Sequence, residues 1–251
     1  MKNIYHLNCV DIDSPMGAKG IGHCLLLEDE QGLILIDAGI GLLDTRDPEG
    51  RLGTQMIEKA GLQFDEQLTA YRQIEQLGFR PEDVRHCIIT HLDCDHIGAV
   101  IDFPDMELHV GKEEYDNFYS GNPRYLLHQL AHRPTIHTYD TSSEKWFGLE
   151  ARKVATGFET EILLVPLPGH SMGHCGVAIR MGKGWLFHIG DAYYYRVELA
   201  QDDHPVSQLA ARNADDNELR IQSLEVIRQL MKDHPEITIF SFHDPAEFPG
   251  V

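Results

Sequence analysis

Four side chains able to grip a cation stand within six residues at His91-x-Asp93-x-Asp95-His96, and nothing else in the 251-residue chain restricts its folding as strongly. Such a run cannot lie inside an apolar core, because buried carboxylates without partners are very costly. It has to sit on a tight loop at a core's edge. The residues before it, Arg85 to Thr90 (RHCIIT), read as a short buried strand, so the loop begins where a strand ends. There the alternating pair His91 and Asp93 would face one ion, and the adjacent Asp95 and His96 another. Imidazole nitrogen and carboxylate oxygen suit zinc, iron or manganese.

The same pattern, a strand ending in histidine or aspartate, recurs three times. The strand ILLVP leads into Leu167-Pro168-Gly169-His170, WLFHIG ends in Gly190-Asp191, and ITIFSF ends in His243-Asp244-Pro245. Each is weak alone, since a lone histidine near a strand end is more often structural. Four strand ends delivering His or Asp are a much rarer coincidence, and they point to one shared centre.

Around these loops the periodicity predicts strands over Tyr5–Ile12, His23–Glu28, Leu33–Asp37, Glu107–Val110, Ile162–Pro166, Cys175–Arg180, Trp185–Ile189 and Ile237–Phe242. Helices are expected over 54–62, 66–78 and 216–233, the last with Leu219, Leu224, Ile227 and Leu230 as its apolar stripe. Residues 111–160 are less regular and rich in aromatic side chains, with a helical piece at 123–132, and read as a lid or pocket wall. Strands then helices, followed by strands then a helix, suggest two βα halves: two packed sheets with helices outside. No linker or fixed-period repeat interrupts the order, so residues 1–251 read as a single domain.

A net charge of −19, from 40 acidic against 21 basic residues, argues against nucleic acid and anionic lipid as partners. No apolar run approaches the roughly 20 residues of a membrane span, and the N-terminal stretch lacks a signal peptide's apolar run. The expectation is a cytoplasmic protein with a small-molecule substrate; a homodimer is compatible with such a surface. Five cysteines without CxxC spacing read as buried thiols, Cys94 included.

These motifs resemble the metallo-β-lactamase superfamily, whose metal motif is usually H-x-H-x-D-H followed by a distant His, an Asp and a last His. The resemblance covers nearly the whole chain and extends to LIDAG at Leu35–Gly39 and PGHSMGH at Pro168–His174. It implies an α+β fold, the four-layer αββα sandwich. It also implies two divalent metal ions, zinc first: one held by His91, Asp93 and His170, the other by Asp95, His96 and His243, with Asp191 bridging. Asp93 departs from the pattern, where the second histidine is usual, and this opens iron or manganese as alternatives. A narrower similarity to N-acyl homoserine lactonases places Tyr194, three residues past Asp191, at a substrate carbonyl. Asp37, Thr90 and His174 fit supporting roles.

The activity so implied is metal-dependent hydrolysis, a metal-bridged hydroxide attacking a lactone, ester or thioester carbonyl, with Asp95 orienting the nucleophile or passing a proton. The alternatives are a di-iron redox enzyme like the family's flavodiiron branch, motivated by Asp93, and a glyoxalase-type thioester hydrolase.

Overall fold

Two mixed sheets account for nearly all strands of the chain, which a computed structural model describes over residues 2–15 and 17–249. The first sheet contains β1 (Asn3–Asp13), β2 (Lys19–Asp29), β3 (Gly32–Ile36), β4 (Leu62–Gln63), β5 (Val84–Ile88), β6 (Glu107–Gly111) and β7 (Ile136–Tyr139). A small hairpin, β8 (Lys145–Trp146) and β9 (Leu149–Glu150), follows. The second sheet contains β10 (Arg152–Lys153), β11 (Ile162–Pro166), β12 (Cys175–Met181), β13 (Gly184–His188) and β14 (Ile237–Phe240).

The first sheet runs β4-β1-β2-β3-β5-β6-β7, antiparallel through β3 and parallel from β3 to β7. The second runs β10-β11-β12-β13-β14, antiparallel until the parallel pair β13 and β14.

Near-continuous apolar runs such as Cys24-Leu25-Leu26-Leu27 belong to strands covered on both faces. Alternate residues go to different layers. Leu25, Leu27, Ile34 and Ile36 pack against Ile162, Leu164, Val177 and Ile179 of the other sheet. Their neighbours Cys24, Leu26, Leu33 and Leu35 face outward onto Ala70, Ile74, Phe103 and Phe118. The outer face of the second sheet, including Leu163, Val165, Phe187 and Ile239, is covered by Leu224, Ile227 and Leu230 of the helix Asn217–Asp233. Asp216 caps that helix, accepting from the Glu218 and Leu219 amides at 2.9 and 3.0 Å. Burying one such aliphatic side chain contributes roughly 1.5–3 kcal/mol. The result is the expected αββα layering.

Several boundaries differ from the periodicity, for local reasons. The helix expected over 54–62 spans Thr54–Ala60, because Gly61 turns left-handed (φ 77°) and Leu62–Gln63 pairs with β1. The helix expected over 66–78 divides into a 3₁₀ turn, Glu66–Leu68, and a helix, Ala70–Gln76, since Asp65 and Thr69 each cap a new start. Residues 123–132 hold only a 3₁₀ turn, Leu127–Leu130. The last strand stops at Phe240, and residues 241–243 leave the sheet for the loops described next. Among the described residues no helix is long and apolar enough to cross a membrane.

Candidate metal centre

The loops that leave β5, β11, β13 and β14 meet at one edge of the sandwich. Asp37, just past β3, anchors the first of them. Its backbone takes a left-handed conformation (φ 53°), which aspartate tolerates better than most residues, and its carboxylate is fully buried. That carboxylate accepts from the Thr90 amide at 2.8 Å, the Thr90 hydroxyl at 2.9 Å and His96 Nδ1 at 2.9 Å. His96 Nδ1 therefore carries a proton, and its other nitrogen, Nε2, presents a lone pair to the centre.

What His96 Nε2 meets is Asp191 Oδ1, 3.3 Å away. Both atoms are buried, and neither has a hydrogen-bond partner among the described residues. Two acceptors facing each other at this distance need a proton or a cation between them. Alongside, His91 Nε2 and His170 Nε2 face each other at 3.1 Å. The donor set thus fits divalent cations of the zinc type.

Two groups result, each with its ligand atoms within 4.8 Å of one another: His91, His170 and Asp191, and Asp95, His96 and His243. Asp191 touches both. Its Oδ2 lies 3.4 Å from His170 Nε2 and 3.1 Å from His243 Nε2, while its Oδ1 faces His96. Asp95 Oδ2 is 3.6 Å from His243 Nε2. His243 Nδ1 donates to the Ile21 carbonyl at 2.9 Å, which turns its Nε2 inward.

Asp93 enters differently. Its Oδ2 is 3.3 Å from His91 Nε2 and 3.2 Å from His170 Nε2, yet Arg124 takes both carboxylate oxygens in a fork, Nε to Oδ1 at 2.8 Å and Nη2 to Oδ2 at 2.7 Å. The same guanidinium lies 2.9 Å from His170 Nε2 and donates to the His170 carbonyl (2.6 Å) and to Asp215 Oδ1 (2.9 Å). Burial alone would raise the Asp93 carboxyl, but Arg124 and His91 hold it well below the usual carboxylate range. No local sequence signal marks Arg124. The one available hint is general: a buried, acid-rich loop needs a cation nearby.

Glu114 is a second residue that motif reading does not single out. Fully buried, it accepts from the Leu92 amide (2.8 Å), the Ser171 hydroxyl (2.6 Å) and the Gly173 amide (3.2 Å), and so joins the His91 loop to the His170 loop. Gly173 permits this approach, because a Cβ there would lie 1.9 Å from the Glu114 nitrogen. His174 supports Asp191, donating through Nδ1 to the Leu167 carbonyl (3.0 Å) and accepting the Asp191 amide at Nε2 (3.0 Å).

Residues 193–195 form a loop rather than a strand, so the three tyrosines diverge. Tyr193 donates to Glu247 and Tyr195 to the Lys19 carbonyl. Tyr194 packs its ring edge-on against His243 and His170, with centroids 5.0 and 5.8 Å apart. Its hydroxyl accepts from Asn213 Nδ2 at 3.3 Å. Burial raises its phenol well above the ordinary value, so it keeps its proton.

A cavity of about 430 Å³ opens onto Asp95, His170, Asp191, Tyr194 and His243. Ile12, Met56, Leu62, Val206 and Leu209 give it an apolar side. From the 111–160 segment, Asn122, Pro123 and Arg124 line it, while Ile136–Tyr139 continues the first sheet. Cys94 is buried in its wall, and burial raises its thiol well above the ordinary value.

The family model for the metallo-beta-lactamase superfamily matches residues 17–241. A probable metallo-hydrolase of Mycobacterium tuberculosis is 37% identical, the alignment covering 96% of this chain and 80% of that protein. An N-acyl homoserine lactonase of Bacillus cereus is 25% identical, over 90% of this chain and 82% of its own length. A solved structure of an N-acyl homoserine lactone hydrolase, with the product N-hexanoyl-L-homoserine bound at its catalytic metal center, shares the fold. Its TM-score is 0.74 at 21% identity, covering 97% of this chain and 94% of that one.

Proposed function

The chain belongs to the metallo-β-lactamase superfamily, and on that premise we propose that it hydrolyses a lactone or another carboxylic ester, with an acyl thioester as the next choice. The observation that carries this reading is the Asp191 carboxylate, which reaches both histidine groups at once. We assign two divalent cations, zinc first and iron or manganese as alternatives, one to His91, Asp93 and His170 and one to Asp95, His96 and His243, with Asp191 between. Cations so held supply Lewis acidity and lower the pKa of water towards neutrality.

The chain's own residues do the rest. Asp95, partly exposed to the cavity and 3.6 Å from His243, is positioned to take a proton from the attacking water and return it to the leaving group. The Tyr194 oxygen accepts from Asn213, which leaves its O–H to donate to a carbonyl oxygen as negative charge develops there. The apolar side of the cavity suits a hydrocarbon substituent, and the similarity to lactonases supports a lactone. Residues 1–251 act as one domain in this reading, and 111–160 contributes pocket wall through Asn122 to Arg124.

Metal-reconstituted protein screened against lactones, carboxylic esters, thioesters and phosphodiesters tests the proposal. Lactone or ester turnover should appear, vanish with a chelator and return with zinc; turnover indifferent to chelation overturns it. Asp95→Asn should lower turnover by roughly 10²–10⁴-fold at unchanged circular dichroism. Metal analysis finding zinc and no iron excludes the redox alternative.

A further inference from the structure

The inner face of the first sheet is lined by Leu25, Leu27, Ile34, Ile36 and Ile88. Towards β7 it changes character. In register, His86 sits opposite Glu107, Ile88 opposite His109, and His109 opposite His137, so these side chains share one face. His86 and His109 are buried, and Glu107 and His137 reach solvent. Buried imidazoles on a sandwich face need a reason.

Their geometry supplies one. His86 Nδ1 and His109 Nε2 face each other at 3.0 Å, and a Glu107 carboxylate oxygen completes a set within 4.8 Å. A tetrahedral zinc ion with bonds of about 2.0–2.1 Å spaces two nitrogens about 3.3 Å apart, close to what is seen. The outer atoms suit ligation too. His109 Nδ1 lies 2.8 Å from the Tyr139 hydroxyl oxygen, which also accepts from the Ala155 amide at 3.0 Å, and His86 hydrogen-bonds the Thr156 backbone. When both outer N–H groups donate outward, two lone pairs face inward, the arrangement that oxygen partners impose on metal-bound histidines. His137 Nε2, 2.7 Å from Glu107 Oε2, holds the carboxylate in place.

We propose that His86, Glu107 and His109 form a separate binding site for a divalent ion of the zinc type, tying β5 to β6, about 15 Å along the strand direction from the His91 loop. Burial keeps both imidazoles neutral, the ligating form, with His109 lowered to about 3. A metal-free network also closes, in which Tyr139 donates to His109 Nδ1 and His109 Nε2–H donates to His86. The two arrangements differ by one ion and by which His109 nitrogen carries the proton.

Zinc content after loading and dialysis separates them. Wild-type protein should retain one more zinc per chain than the His86→Gln/Glu107→Gln double variant, at equal circular dichroism; equal contents overturn the proposal. Should the double variant fail to fold, wild-type crystals grown with zinc decide. Anomalous density at the zinc edge between His86 Nδ1 and His109 Nε2 supports the site, and its absence there refutes it.

Discussion

Asp93 occupies the position where the family's motif usually has a histidine, and Arg124 is what makes a carboxylate tolerable there. The pair is a bidentate fork with little exposure on either side. Arg124→Met should leave a buried carboxylate without its donors and cost about 3–5 kcal/mol in urea denaturation. Adding Asp93→Asn should recover much of that loss, and a double variant no better than the single one would break the assignment. Lysine should rescue Arg124 only partly, having no planar fork. His91, Asp95, His96, His170, Asp191 and His243 were legible because strand ends and short spacings mark them. Arg124 and Glu114 were not, since each acts across the fold on loops distant in sequence, where no period records the contact.

At the scale of elements, strands read well and helix ends poorly. Alternation and apolar runs carry the sheets, whereas Asp65, Thr69 and Gly61 end or restart helices through single caps that a stripe of Leu and Ile does not reveal. The short helix Leu42–Arg46 and the 3₁₀ segment Gly98–Asp102 show what such junctions can cost. Asp102 accepts from the Leu42 amide at 2.8 Å, and Asp44 from Arg51 at 2.9 Å, so two carboxylates share one partly buried corner. Burial, with a further push from Asp44, raises the Asp102 carboxyl to about 6. An unfolded aspartate titrates near pH 3.9. Between these values the folded chain binds more protons than the unfolded one, so stability present below about pH 4 is lost as the pH rises to about 6. Asp102→Asn should therefore gain roughly 1–3 kcal/mol at pH 7.5 and almost nothing at pH 4. Urea curves at the two pH values check this; equal gains would contradict it.

On the scale of the whole molecule, the candidate centre draws His91, Asp93, Asp95 and His96 from a loop of the first sheet, and His170, Asp191 and His243 from loops of the second. A cation held there fastens one sheet to the other. Ligand binding only to the folded state stabilises it by about 4 kcal/mol at a thousand times Kd, so chelation should lower the melting temperature by several degrees and zinc should restore it. Superimposable melts with and without chelator would count against a cation at this position. The four-layer arrangement was foreshadowed by the order of elements, but the seam between sheets, with Glu114 bridging two loops, exists only once both are built. The five cysteines, all buried as free thiols, follow from the same layering. With all five buried, a maleimide can reach them only when the structure opens, so the chain carries its own clock for unfolding. Cys94, set in the cavity wall, would time the breathing of the pocket, Cys175 the parting of the sheets, and Cys9, Cys24 and Cys87 the lifting of the outer cover from the first sheet.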